Sequence, residues 1–242
     1  MTRLLYYDTV EGEYLRRFDA RVLASGDGWV QLDQTAFHVE GGGQASDQGV
    51  LRFAGGEARV LGVKQDGDAI KHIVDGAPSL PAGAEVEGHI DWARRFELMR
   101  GHTSGHLMAR AVWGLLNAKC VGNSIDVGRL RIDVKPARLT PAEMQRIEDE
   151  VNQAIARDRA VRIRMMERST LESQVGERGL LDLSPPGDVL RAIEVQDYDL
   201  CPCSGTHVRG TKEVGGVKLL KRESKGQGTD RISYALVGSP EA

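Results

Sequence analysis

Two pairs of metal-ligand residues constrain what this chain can fold into. His102-Thr103-Ser104-Gly105-His106 and Cys203-Ser204-Gly205-Thr206-His207 lie far apart in the sequence, yet together they offer three imidazoles and one thiolate. That is a complete ligand set for one Zn²⁺. If residues 91–117 form a helix, positions 102 and 106 are one turn apart and project from the same face. Cys203 and His207 must then arrive from a remote segment, so the fold has to bring the two together. A histidine pair at helical spacing is also compatible with packing. Leu98, His102, His106, Ala109, Trp113 and Leu116 continue one seam, which would make core histidines of the pair. The second pair shifts the balance to a shared metal site, because the chain has only 6 His and 3 Cys.

The rest of the sequence divides near residue 90. Before it, β-rich runs at 22–23, 29–39, 50–53, 58–64, 69–74 and 86–90 are separated by Gly26-Asp27-Gly28, Gly55-Gly56 and Asp66-Gly67-Asp68. Short strands with such turns predict a small β-barrel over residues 1–90. Pro78, Pro81 and Gly83 mark a loop, and Asp91 is a candidate N-cap for the histidine-bearing helix. After residue 90 the pattern alternates. Thr140-Pro141-Ala142-Glu143 combines a capping box with Pro at the first helical position. Strands are expected at 130–134, 161–166, 189–195, 217–222 and 232–237, the last two joined by a hairpin across 224–228. The expected class is α+β, with a barrel followed by an α/β sandwich with an antiparallel sheet over residues 91–242.

Composition narrows the function classes. The net charge of -3 excludes a generally basic chain that coats nucleic acid by charge alone, so nucleic-acid contact requires a local patch. Lys218, Lys221, Arg222 and Lys225 on the C-terminal hairpin are the candidates for contact with nucleic-acid phosphates. No secretory signal and no bilayer-length apolar run are evident, which predicts a cytoplasmic protein with no membrane partner. Three cysteines, two of them in Cys201-Pro202-Cys203, make no disulfide framework and suit a reducing compartment. The helix lacks a Glu beside His102, so the general base of a His-Glu-x-x-His metalloprotease is missing. Glu40-Gly41-Gly42-Gly43-Gln44-Ala45-Ser46-Asp47-Gln48-Gly49 is neither a P-loop nor a dinucleotide fingerprint; its glycines either let backbone N–H groups approach a ligand or form a hairpin connection.

With these features in hand, the chain resembles the AlaX family of free-standing alanyl-tRNA editing proteins, in particular its medium type. The resemblance covers essentially the whole sequence. It implies hydrolysis of the ester of tRNA(Ala) mischarged with serine or glycine, a Zn²⁺ cofactor, and His102, His106, Cys203 and His207 as the metal-binding and catalytic set. It also implies that Gly41, Gly42, Gly43, Gln44 and Asp47 belong to a substrate-binding motif and that Thr35 senses the serine hydroxyl. His38-Val39, Ala45 and Cys201-Pro202 depart from the family pattern, which leaves Cys201 as a possible substitute ligand. Four protein ligands normally describe a closed structural site, whereas hydrolysis needs an open position, most simply from a loose His207. Two alternatives stand beside this expectation. One is an RNA-binding or scaffold module with structural zinc; the other is a metal-free deacylase resembling the threonyl-tRNA editing domain. Small Gly101, Gly105 and Gly205 near the ligands would leave room for a substrate end.

Overall fold

The computed structural model describes residues 1–76, 80–176 and 187–238. Contacts group these into two units, Met1–Glu97 and Leu98–Ala242. No helix among the described residues is long and apolar enough to cross a membrane.

The first unit opens with β1 (Arg3–Leu4) and the short α1 (Val10–Glu13), capped by the Thr9 side chain on the Gly12 N–H. It continues through β2 (Arg17–Gly26), β3 (Trp29–Leu32), β4 (Gln34–Thr35), β5 (Gly49–Phe53), β6 (Gly56–Asp66), β7 (Ala69–Val74) and β8 (Glu85–Ile90). Six of these strands close a barrel in the order β2-β3-β7-β6-β5-β8, with antiparallel neighbours throughout. Closure removes the unpaired edges that an open sheet would present. Phe18, Ala20 and Val22 alternate with exposed residues along β2 and point inward onto Val30, Leu32, Phe37, Leu51 and Val60. The barrel expected from the turn spacing is present.

One run differs from expectation. Residues 29–39 do not form a single strand: β3 ends at Leu32, and β4 pairs in parallel with β1 outside the barrel. Asp33 makes the break, because its carboxylate accepts the Arg21 N–H and its own N–H donates to the Arg21 carbonyl, which turns the chain. Of the loop expected around Pro78, Pro81 and Gly83, Pro78 lies outside the described residues.

The helix α2 (Trp92–Leu116) starts where Asp91 accepts the Arg94 N–H, as an N-cap should. Its residues up to Glu97 group with the barrel, held by a buried ion pair. The Arg95 guanidinium is fully buried, bonds both oxygens of Asp47, and donates to the carbonyls of Glu13 and Ala36. A charge out of water is tolerable only with this degree of pairing.

The second unit adds β9 (Lys119–Asp126), β10 (Arg129–Lys135), α3 (Pro141–Ala156), β11 (Val161–Glu167), α4 (Arg168–Val175), β12 (Val189–Val195), β13 (Asp199–Pro202), β14 (Gly216–Gly226) and β15 (Thr229–Val237). Two antiparallel sheets result, β14-β15-β10-β9 and β11-β12-β13, so the class is α+β. The Thr140 capping box is complete, with the hydroxyl accepting the Glu143 N–H and the Glu143 carboxylate accepting the Thr140 N–H. The hairpin turns on Gln227 and Gly228, both at positive φ, which matches the twist of the flanking strands. Leu98, Met99, Leu107, Met108 and Val112 are buried on several sides of α2, so this helix is enclosed rather than amphipathic.

Candidate metal centre

His102 and His106 extend from the buried stretch of α2, and Cys203 and His207 come from the loop that follows β13. Ligand atoms from all four lie within 4.8 Å of one another. The Cys203 sulfur is 3.4 Å from His102 Nε2 and 3.3 Å from His207 Nε2. Tetrahedral zinc with bonds of 2.0 to 2.3 Å requires ligand atoms roughly 3.5 Å apart, so a zinc ion fits these residues in both donor type and spacing. Cys201, the possible substitute, is not among the converging four.

The loop is held from behind. Arg191 on β12 is buried, donates to the carbonyls of Cys203 and Gly205 at 2.7 and 3.0 Å, and accepts the Cys203 N–H on its own carbonyl. The Gly205 N–H points at the Cys203 sulfur from 3.4 Å. Thr103, between the two helix histidines, lies 3.2 Å from His207 Nδ1 and accepts the Val208 N–H. This partner leaves Nε2 of His207 for the metal and fixes the ring, the usual support of a ligating histidine.

The electrostatics favour a thiolate at the centre. Burial pushes the Cys203 thiol up, but the imidazoles of His102 and His207 pull it well below its ordinary value, so the sulfur is a thiolate. Burial and the neighbouring His102 hold His207 neutral. Burial works to lower His106 as well, but Asp199 and Cys203 together raise it to about 10. Bringing three imidazoles and a thiolate into a nearly dry site is costly unless a metal is there to bind them.

A small cavity of about 50 Å³ opens beside the centre, lined by His102, Gly105, His106, Asn123, Asp199 and Cys201 among others. Gly105 has open space near it: a Cβ there would meet only the Tyr234 hydroxyl, at 3.5 Å. Gly101 is small for another reason. Its Cβ would come within 2.8 Å of a Leu130 methyl and 3.2 Å of an Ile125 methyl, so it lets α2 seat on β9 and β10. Asp199 and Asn123 were not anticipated. Asp199 alternates with Cys201 on a strand that the Pro202 in its sequence conceals, and that alternation is the signal that could have exposed it.

The barrel residues have their own explanations. Thr35 is fully buried; its hydroxyl accepts the Phe37 N–H and bonds His72 Nε2 at 2.8 Å. Asp47 is occupied by Arg95 and the His38 N–H. Gly41 and Gln44 exchange backbone hydrogen bonds across Gly42 and Gly43, whose φ values of 60° and 83° only glycine adopts cheaply. Gln44 is buried, whereas Gly42 and Gly43 are exposed. On the C-terminal hairpin, Lys218 pairs with Glu148, Lys221 with Glu223 and Arg222 with Asp230, and Lys225 is exposed near the turn.

Residues 190–233 match the family described as Threonyl and Alanyl tRNA synthetase second additional domain, and residues 2–94 match tRNA synthetases class II (A). The chain is 40% identical to an alanine–tRNA ligase of Pyrobaculum neutrophilum over 96% of its own length and 27% of that protein's. It is 36% identical to one of Pyrococcus abyssi over 97% of its length and 26% of that protein's. For one of Sulfurisphaera tokodaii the figures are 35%, 96% and 26%. The chain therefore spans about a quarter of the length of these relatives. Over nearly all of its own length this chain is a homologue of alanine–tRNA ligases, as its resemblance to the alanyl-tRNA editing proteins implies.

Proposed function

We propose that this chain is an editing hydrolase that removes serine, or glycine, from mischarged tRNA(Ala), with one Zn²⁺ held by His102, His106, Cys203 and His207. The observation that carries this reading is the convergence of the four ligand atoms within 4.8 Å beside a cavity that His102 and His106 help to line. A bound zinc ion would supply a water that is nucleophilic at neutral pH and would polarise the ester carbonyl. The chain's own residues supply the setting. Thr103 orients His207, Arg191 fixes the loop that carries Cys203, and the missing side chain at Gly105 keeps space open. The buried surroundings exclude bulk water from the reacting groups.

The barrel motif contributes selectivity in this reading. Thr35 and Asp47 spend their polar atoms on buried partners, and the exposed backbone of Gly42 and Gly43, next to Gly41 and Gln44, is left to meet a ligand. Reading the hydroxyl by hydrogen bonding is the physical route to sparing alanine, because a cavity that admits serine also admits the smaller side chain. Lys225, exposed near the hairpin turn, is the cation put forward for a tRNA phosphate, while the other three make ion pairs with carboxylates.

The test is release of serine from seryl-tRNA(Ala), with zinc measured in the same preparation. Cys203→Ala should lose both metal and activity. One observation favours a second reading: four protein donors describe a closed site, which would make the metal a staple between α2 and the Cys203 loop. Zinc-loaded, folded protein with no hydrolysis would establish that alternative. Hydrolysis retained after zinc is stripped would instead favour a metal-free deacylase.

A further inference from the structure

The cavity beside the metal centre contains a buried acidic group that faces His106 and the open space. Asp199 lies on β13 with its side chain only 9% exposed. Its nearest charged neighbour is His106 Nδ1 at 3.7 Å. That distance is too long for a hydrogen bond, and Nδ1 itself is buried without a hydrogen-bond partner. The carboxylate is nonetheless firmly placed. Arg110, one turn along α2 from His106, donates to the carbonyl of Tyr198 at 3.0 Å and so anchors the residue next to Asp199. Of the residues that line the cavity, Asp199 is the one carboxylate; Ile125, Ile132 and Ala109 make much of the remaining wall apolar. A fixed anionic group facing a small and largely apolar space is a recognition element for a small cation that can donate hydrogen bonds.

We infer that Asp199 receives the α-ammonium of the aminoacyl ester, and that the site selects esters with a free amino group over N-acylated ones. This rests on the deacylase reading above. The geometry is favourable because the α-ammonium stands two bonds from the ester carbonyl carbon, and Asp199 sits beside His106, one of the four metal-site residues. An ammonium group offers the carboxylate several charged hydrogen-bond donors at once, where His106 stands at 3.7 Å. The volume of about 50 Å³ accommodates a handful of water-sized groups, enough for the ammonium and its carbon. An N-acyl group removes the charge and adds atoms that the cavity cannot hold.

The experiment compares seryl-tRNA(Ala) with N-acetyl-seryl-tRNA(Ala), using the full chain and Asp199→Asn. Zinc content and circular dichroism are recorded for both proteins. Binding of a non-hydrolysable 3′-serylamido adenosine and its N-acetyl form is measured alongside. Wild type should prefer the free amine by roughly ten- to a hundredfold in kcat/KM and in affinity, the range set by a hydrogen bond to a charged partner. Asp199→Asn should retain its zinc and lose that preference, mainly on the free-amine substrate. Equal treatment of both substrates by wild type overturns the inference and leaves the deacylase reading intact. So does an Asp199→Asn protein that keeps the wild-type preference, or that loses zinc and slows on both substrates alike, because Asp199 would then serve His106 alone. Wild type that hydrolyses neither ester overturns both readings.

Discussion

Gly101 and Gly105 are four residues apart on one helix, and the same added methyl should have opposite effects at the two. Gly→Ala in a helix interior gains about 1 kcal/mol from the restricted unfolded backbone. At Gly105 the new Cβ meets nothing closer than 3.5 Å, so most of this gain should survive. At Gly101 it meets Leu130 and Ile125 methyls at 2.8 and 3.2 Å, within a packed helix–sheet contact. Overpacking there costs about 1 to 3 kcal/mol, which leaves a net loss of about 1 kcal/mol. For a chain of this size 1 kcal/mol moves Tm by roughly 2 to 4 °C. Gly105→Ala should therefore melt about 2 to 4 °C above wild type and Gly101→Ala about as far below, by calorimetry on zinc-loaded protein. Gly105→Ala should also lower kcat/KM for seryl-tRNA(Ala), because residue 105 lines the cavity. Equal shifts of the two variants, in either direction, would refute the reasoning that separates a packing glycine from a space-making one.

Three further outcomes are expected. Asp47→Ala should cost about 3 to 5 kcal/mol in chemical denaturation, because it strands the buried Arg95 guanidinium; a loss under 1 kcal/mol would show the pair to be dispensable. Burial lowers His72 to about 4, so between that value and the ordinary 6.5 the unfolded chain binds the proton and the folded chain does not. Its contribution is therefore fully present above pH 6.5 and is lost as pH falls toward 4. Wild type should weaken over that window, by up to about 3 kcal/mol, and His72→Gln should show a flatter profile. Thr35→Val should lose about 1 to 3 kcal/mol, because it leaves His72 Nε2 and the Phe37 N–H unpartnered, and should narrow the serine-to-alanine ratio of kcat/KM by about tenfold; an unchanged ratio in a folded variant would move selectivity away from Thr35.

The sequence by itself determined what depends on local geometry. A helical turn brings His102 and His106 to one face whatever surrounds them, and Cys203 and His207 repeat that spacing. The Thr140 cap, the Gln227-Gly228 turn and the inward alternation of the barrel strands are equally local, because each follows from backbone periodicity or from a side chain reaching its own neighbours. Strand β9, with Gly122, Asn123 and Ser124 in its middle, has little intrinsic strand preference and takes its form from pairing with β10. Asp33 diverted a run that looked continuous, through a bond to Arg21 on another strand. Asp47, read from its motif as a ligand contact, became the buried partner of Arg95, which lies far along the chain. Only the tertiary structure could decide that Gly101 packs while Gly105 leaves space, and that Asp199 faces the cavity. A residue's role there depends on which distant atoms fill the volume around it, and one-dimensional spacing carries no record of that volume.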